Sequence, residues 1–249
     1  MTSLHFFWIV VIFFLVSCTP QNPGNKSSNA TNSNTKNTPQ VLVFGRGGDS
    51  VTLDPSHATD GETFYATTQI YDTLVDFKYG TTEIEPGLAE RWEVTPNGLE
   101  YTFHLRNVPF HQTPYFQEKV FLSAEDVVFS LKRQMDENHP YNKVGGPFEY
   151  WLAMEMSKIV KDIVALDEHT VKFLLHKPEA PFLANLAMDF ASILCKRYAD
   201  QLLQNGKPEN IALEPIGTGA FLYLKWIKYD RIIFEKNFHL CQHYVLQSR

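Results

Sequence analysis

Residues 90–105 alternate between apolar and polar side chains on either side of a Pro96-Asn97-Gly98 turn. Trp92 and Val94 alternate with polar neighbours before it. Tyr101, Phe103 and Leu105 share one face after it, with Glu100, Thr102, His104 and Arg106 on the wetter face. A period of two around turn residues is a half-buried β-hairpin, and a slip of one residue would turn its whole apolar set to solvent. The chain must therefore supply a core to cover that face. Two further hairpins fit the pattern. One spans Ile159 to Leu175 and turns at Asp167-Glu168, with Val171, Phe173 and Leu175 inward; the other runs from Ala220 to Phe234, with Tyr229-Asp230 near its tip.

Helices fit between the hairpins. Ser123 followed by Asp126 gives an N-cap and a favourable charge in the first turn, and Val127, Val128, Leu131 and Met135 follow at helical spacing. Residues 63–74, 182–188 and 196–204 are further helix candidates, the last stopped by Asn205-Gly206. Gln40 to Phe44 is β-rich and apolar and ends at Gly45, Gly47 and Gly48, which predicts a buried strand meeting a loop. Strands and helices mix without strict βαβ alternation, so the expected class is α/β with a mixed sheet and antiparallel hairpins.

Composition excludes several classes. With 44% hydrophobic and 14% aromatic residues the chain of 249 is no disordered polymer. A net charge of −6, without a block of like charges, lacks the footprint of a nucleic-acid binder. Three cysteines form no disulfide framework.

The N-terminus bears on location. Phe6 to Val16 is an unbroken apolar run. As a helix it would be roughly 16 Å long, about half a bilayer core, which suits a secretory signal rather than a span. Leu15-Val16-Ser17-Cys18 resembles the lipobox of bacterial lipoproteins, so residues 1–17 are expected to be a signal peptide and Cys18 the lipidated residue. The n-region carries no Lys or Arg, and an ordinary signal peptide with an incidental cysteine is the other reading. Thr19 to Gln40 holds six Asn, four Thr, three Ser and three Pro. Such a segment cannot bury enough surface to offset chain entropy, so residues 18–40 read as a lipidated cysteine plus disordered tether.

Catalytic chemistry is sparse. None of the nine histidines sits in H-E-x-x-H or beside a Cys-x-x-Cys pair. His239, Cys241 and His243 could share a strand face, but three ligands without a fourth read as accident, so no metal is expected. Gly45-Arg46-Gly47-Gly48 lacks the third spaced glycine of a dinucleotide loop, and Pro55 soon interrupts any receiving helix. No G-x-S-x-G elbow occurs, and Ser50, Ser123 and Ser130 have no motif linking them to a base. No catalytic residue and no cofactor is therefore expected. A hydrolase stays open as an alternative because triads assemble in space.

Several ordered blocks resemble one family. They are Ser50-Val51-Thr52-Leu53-Asp54-Pro55, Ile70-Tyr71-Asp72-Thr73-Leu74-Val75, Pro86-Gly87-Leu88-Ala89-Glu90-Arg91-Trp92 and Tyr101-Thr102-Phe103-His104-Leu105-Arg106. Ser123-Ala124-Glu125-Asp126-Val127-Val128-Phe129-Ser130 and Pro215-Ile216-Gly217-Thr218-Gly219-Ala220-Phe221 follow in order. Together they resemble the N-terminal half of the periplasmic oligopeptide/dipeptide-binding proteins, the family 5 extracellular solute-binding proteins of ABC importers. Ala180-Pro181-Phe182-Leu183 and Met188-Asp189-Phe190-Ala191-Ser192-Ile193 lean toward the dipeptide and haem/glutathione-type branch.

The resemblance implies a type II periplasmic-binding-protein-like lobe over residues 41–237, one of two lobes that close on a peptide. It implies that Asp49, Ser50 and Val51 face the ligand. Asp49 would pair with an α-amino group, or merely cap a turn, and the backbone of Ser50 and Val51 would pair as an added strand. Trp92, Tyr101 and Phe103 would be core, and Gly217 and Gly219 sharp turns. Two departures stand out: Asn107-Val108-Pro109-Phe110-His111 is shorter than the family's usual form, and residues 238–249 diverge, so the chain is expected to be truncated before the second lobe. The expected function is the substrate-binding lipoprotein of a peptide-type ABC importer in a bacterial envelope. Its partners would be a di- or oligopeptide, permease subunits and, through the lipid, the membrane. The alternatives are an envelope lipoprotein using the lobe as an interaction module, or a hydrolase.

Overall fold

The computed structural model describes residues 41–238, of which 41–44 belong to one unit and Gly45 onward to another. The signal peptide, Cys18, the tether and the His239, Cys241 and His243 group lie outside the described residues.

The three expected hairpins form. Strands β1 (Val75–Phe77) and β2 (Ile84–Pro86) pair with each other; β3 (Ala89–Val94), β4 (Glu100–Leu105), β5 (Val160–Asp167) and β6 (Thr170–Leu175) form a sheet ordered β3-β4-β6-β5; and β7 (Phe221–Ile227) pairs with β8 (Arg231–Lys236). Every ladder among the described residues is antiparallel. In the central strand β4, Tyr101, Phe103 and Leu105 are buried, and in β6 so are Val171, Phe173 and Leu175. Phe103 lies opposite Val171 and meets Phe173 edge-on at 5.4 Å. Fully burying one such aromatic contributes about 1.5–3 kcal/mol. On edge strand β3, Trp92 is half-buried against Phe103 and Val94 is 44% exposed, so that face is covered less completely than the alternation implies.

The helices are α1 (Gly61–Ile70), α2 (Ala124–Met135), α3 (Glu149–Ala153), α4 (Met156–Ile159), α5 (Phe182–Leu186) and α6 (Lys196–Gln204). Helix α2 starts where the capping pattern placed it. Ser123 N and Ser123 Oγ both donate to Asp126 Oδ2, at 2.8 and 2.7 Å. The other oxygen of Asp126 accepts Lys196 N at 2.7 Å, and Ser130 Oγ accepts Leu194 N at 2.8 Å. One cap thus serves two helices, because α6 begins on the carboxylate that starts α2. Helix α6 ends at Asn205, with Gly206 at a φ of 69°.

Two expectations are corrected. Residues 41–44 lie outside the named strands and are 69–90% exposed. Their β-propensity reflects fitness for a half-buried pleated surface, and a run that gains no such burial is not made a strand by propensity alone. Gly219 lies in a bend over residues 218–220 as expected, whereas Gly217 is in no turn or bend, and neither has a positive φ. They sit where the chain passes hard against the end of α1: a Cβ at either would overlap the Ile70 carbonyl, and Gly219 N donates to that oxygen at 2.8 Å.

Candidate functional site

Residues 46–63 are laced together by side chains bonding to backbone. Asp60 caps α1 by accepting Thr63 N at 2.9 Å. The Thr63 hydroxyl accepts Val51 N at 3.0 Å, and Glu62 Oε1 accepts Gly47 N at 3.0 Å. The Arg46 guanidinium donates to Ser50 Oγ at 2.9 Å and to the Glu62 carbonyl at 2.5 Å. A glycine-containing loop without strand partners is thereby pinned to the first turn of α1.

Asp49 reaches the other way, to the third hairpin. Its carboxylate accepts Trp226 Nε1 at 2.9 Å, Tyr229 N at 2.8 Å and Ser50 N at 3.0 Å, and lies 3.7 Å from Arg46 Nη2. Tyr229 holds the uncommon φ of 63° at the β7–β8 tip, and its amide ends on this carboxylate. Burial opposes the charge of Asp49, but the Tyr229, Trp226 and Ser50 donors and Arg46 outweigh it and hold the carboxyl below its ordinary range. The sequence placed Asp49, Ser50 and Val51 side by side; the structure adds Trp226 and Tyr229. The Ser50 and Val51 amides are already spent within the chain. Among the described residues their carbonyls accept no hydrogen bond, and Val51 is 67% exposed. Ser50 itself is buried, so the exposed part of the segment is Val51.

Five residues on, Asp54 does something else. It is fully buried and bound bidentately by Arg133 of α2, at 2.7 and 2.6 Å. Arg133 also donates to Ser56 Oγ at 2.8 Å and lies over the Phe148 ring at 5.6 Å. Burial raises the Asp54 pKa, yet the Arg133 charge and hydrogen bonds more than reverse it, and the carboxylate stays ionised. A serine, a histidine and an aspartate therefore come together here, as Ser56, His57 and Asp54. The trio is not built for nucleophilic attack. Ser56 is 1% exposed, and its hydroxyl is committed to Arg133 and the Phe190 carbonyl rather than to His57. The His57 ring stacks on Phe148 at 4.4 Å and holds the Pro147 carbonyl at 3.1 Å. No three potential metal ligands converge among the described residues.

Comparison with known proteins identifies the family. The family described as bacterial extracellular solute-binding proteins, family 5 Middle, matches residues 83–245. The dipeptide-binding protein of Escherichia coli K12 is 46% identical over 199 residues, covering 79% of this chain and 37% of the relative. Heme-binding protein A of Haemophilus influenzae is 40% identical over 88% of this chain and 40% of the relative. A solved structure, the ABC transporter-associated periplasmic binding protein DppA from Helicobacter pylori in complex with the peptide STSA, superposes with a TM-score of 0.75 at 55% identity. That match covers 77% of this chain and 38% of the other. The chain thus spans about two-fifths of the length of the relatives it matches. It belongs to the family 5 bacterial extracellular solute-binding proteins.

Proposed function

We propose that the chain is the peptide-binding component of an ABC importer, acting outside the cytoplasm and held to a membrane through lipid on Cys18. The observation that carries the reading is the superposition on a relative solved in complex with a four-residue peptide, at 55% identity over three-quarters of this chain. Within residues 41–237 the ligand-facing segment is Asp49, Ser50 and Val51. A peptide laid along it would pair with the backbone of Ser50 and Val51 as an added strand, donating N–H to the Val51 carbonyl on the exposed side. Asp49 would attract the α-ammonium group through charge, since its internal donors leave the carboxylate little more than one of about four lone-pair sites. No catalytic step is part of this role. Closure of a partner lobe over the ligand would produce the state a permease recognises.

Transport is tested in the organism itself. Deleting the gene should abolish uptake of labelled dipeptides, and the gene in trans should restore it. Undiminished uptake by the deletion strain, with no other peptide-binding gene induced, would count against the assignment and favour an interaction module. Haem is a second ligand class, raised by the relative named as a heme-binding protein. A Soret shift on titrating the purified chain with haemin, absent with dipeptides, would choose it. For the anchor, Cys18→Ala should move the protein from the detergent phase to the aqueous phase, because diacylglyceryl and N-acyl chains at about 0.8 kcal/mol per buried methylene supply the membrane affinity. Unchanged partitioning would sink the lipid.

A further inference from the structure

A cavity of about 300 Å³ opens beside α1, lined by none of Asp49, Ser50 and Val51. Its walls are aromatic. The Tyr150 and Phe190 rings lie parallel, 6.1 Å apart and 2° from coplanar orientation, and Phe64 of α1 meets Tyr150 edge-on at 5.8 Å. Phe77 of β1 and Met188 line it further. Two carboxylates share this cavity, Asp76 from β1 and Asp189 from the stretch after α5.

Neither carboxylate has a cationic partner in any ion pair among the described residues. Asp76 accepts only the neighbouring Phe77 N, at 2.7 Å. The half-buried Asp189 carboxylate accepts no hydrogen bond from another residue. Burial raises its pKa to about 6; its own N–H lowers it, and the nearby Asp76 charge raises it again. Other buried and half-buried acids among the described residues have donors from elsewhere in the chain, as Asp54 has Arg133, Asp126 has Ser123 and Lys196 N, and Asp72 has the Thr218 hydroxyl. Here two like charges stand together against ring faces, with no counter-charge supplied by the chain.

Ring faces and carboxylates both attract cations. A bare divalent ion needs more oxygen donors than these two groups supply, and no three potential ligands converge among the described residues. At about 300 Å³ the space lies at the lower end of small-molecule sites. An extended organic cation, with a charged head and an alkyl stem to lie on the rings, answers all of these features.

We propose that this cavity binds an alkylammonium or guanidinium group, with Asp189 as its main anionic partner, Asp76 as the second, and Tyr150, Phe64 and Phe77 as the aromatic wall, Phe190 being buried behind Tyr150. The site uses neither Asp49 nor Val51, so it stands or falls independently of the peptide reading. The cation could be a free amine or the basic side chain of a peptide, and the probes separate these sources.

Calorimetry of the purified 249-residue chain at low ionic strength would use agmatine, the dipeptide Gly-Lys and neutral Gly-Gln. Saturable binding of agmatine is expected for a free cation, and of Gly-Lys without agmatine for a peptide side chain. In either case Asp189→Asn should weaken binding about tenfold or more, the effect of losing one charge-assisted contact. Asp76 is exposed, so Asp76→Asn provides a second variant that cannot damage the core if Asp189→Asn melts early by circular dichroism. No saturable binding of either cation would overturn the proposal. So would affinities left unchanged in the folded variants, or Gly-Gln binding as tightly as Gly-Lys.

Discussion

Asp49 and Asp54 occupy one loop, five residues apart, and are held in opposite ways. Asp54 is enclosed and matched charge for charge by Arg133, a residue of α2. Asp49 is matched mainly by neutral N–H donors, from Trp226, Tyr229 and Ser50, and its side chain keeps 14% of its exposure. The first arrangement fixes a fold: a buried carboxylate of this kind tolerates only its own partner. The second keeps a negative charge near the surface at modest cost, because oriented amides stabilise the anion without cancelling it. Position in the loop says nothing of this difference. What lies across from each carboxylate decides it.

The comparison breaks most visibly at Arg133. Arg133→Met leaves the Asp54 carboxylate buried with the Ser56 amide as its remaining close donor, and should cost about 3–5 kcal/mol of stability. Adding Asp54→Leu should recover much of that loss, since an apolar pair of similar volume replaces a desolvated ion pair. Urea unfolding of the single and double variants measures both. A single variant within about 1 kcal/mol of the parent would mean the clamp is not what organises this loop.

A buried base sharpens the point. His111 donates Nε2–H to the Gly219 carbonyl at 2.8 Å, and its Nδ1 finds no partner among the described residues. Burial pushes its pKa down to about 4, with the Gly219 bond offsetting only part of the effect. An unfolded histidine titrates near about 6.5, so between roughly pH 6.5 and 4 the unfolded chain takes up a proton that the folded chain refuses. Stability should therefore fall as pH drops through that window, by about 3 kcal/mol in all, and this loss should be absent above it. Asp189 opposes it, because an acid whose pKa is raised favours the folded state as pH falls below about 6. The difference between parent and His111→Gln unfolding curves isolates the histidine. A difference that stays flat from pH 7 to pH 4.5 would show that the imidazole is solvated.

Much of the architecture was legible because it is local. Alternation along Glu100 to Leu105 located β4, Asn205-Gly206 ended α6 where expected, and the β5–β6 turn expected at Asp167-Glu168 falls one residue later, at Glu168-His169. The β1–β2 pair was missed because three-residue strands carry too little alternation to register. Helices α3 and α4 were missed because they are five and four residues long, too short for a period. Residues 63–74 mislocate α1, since Asp60 caps it earlier and the helix stops at Ile70. At the candidate site, Asp49, Ser50 and Val51 are expected only from the family resemblance. Trp226 was invisible, as it lies 177 residues away and no local signature links it to Asp49. The Asp54–Arg133 clamp and the Asp76–Asp189 cavity were hidden for the same reason. Residues distant in sequence meet only once the sheet and helices have packed.

The smallest expected effect is at Asp49, and it separates an organising role from a ligand-binding one. Asp49→Asn keeps the shape and one acceptor oxygen but loses the charge that both Arg46 and the Trp226 and Tyr229 donors prefer. Charge-assisted bonds to a carboxylate are stronger than neutral ones, so a loss of about 1 kcal/mol is reasonable for a group this near solvent. Because the folded Asp49 pKa lies below its unfolded value, the stabilisation is present above about pH 4 and fades as pH falls through the folded value. The most direct reporter is the Tyr229 amide, whose acceptor is this carboxylate at the left-handed tip of β7–β8. Its hydrogen exchange should quicken in Asp49→Asn and more so in Asp49→Ala, while amides of β4 and β6 keep their protection. If Tyr229 exchange is unmoved in both variants while dipeptide uptake falls, Asp49 serves the ligand and the hairpin holds itself. If exchange quickens and uptake persists, the carboxylate is part of the frame, and the backbone of Ser50 and Val51 alone faces the peptide.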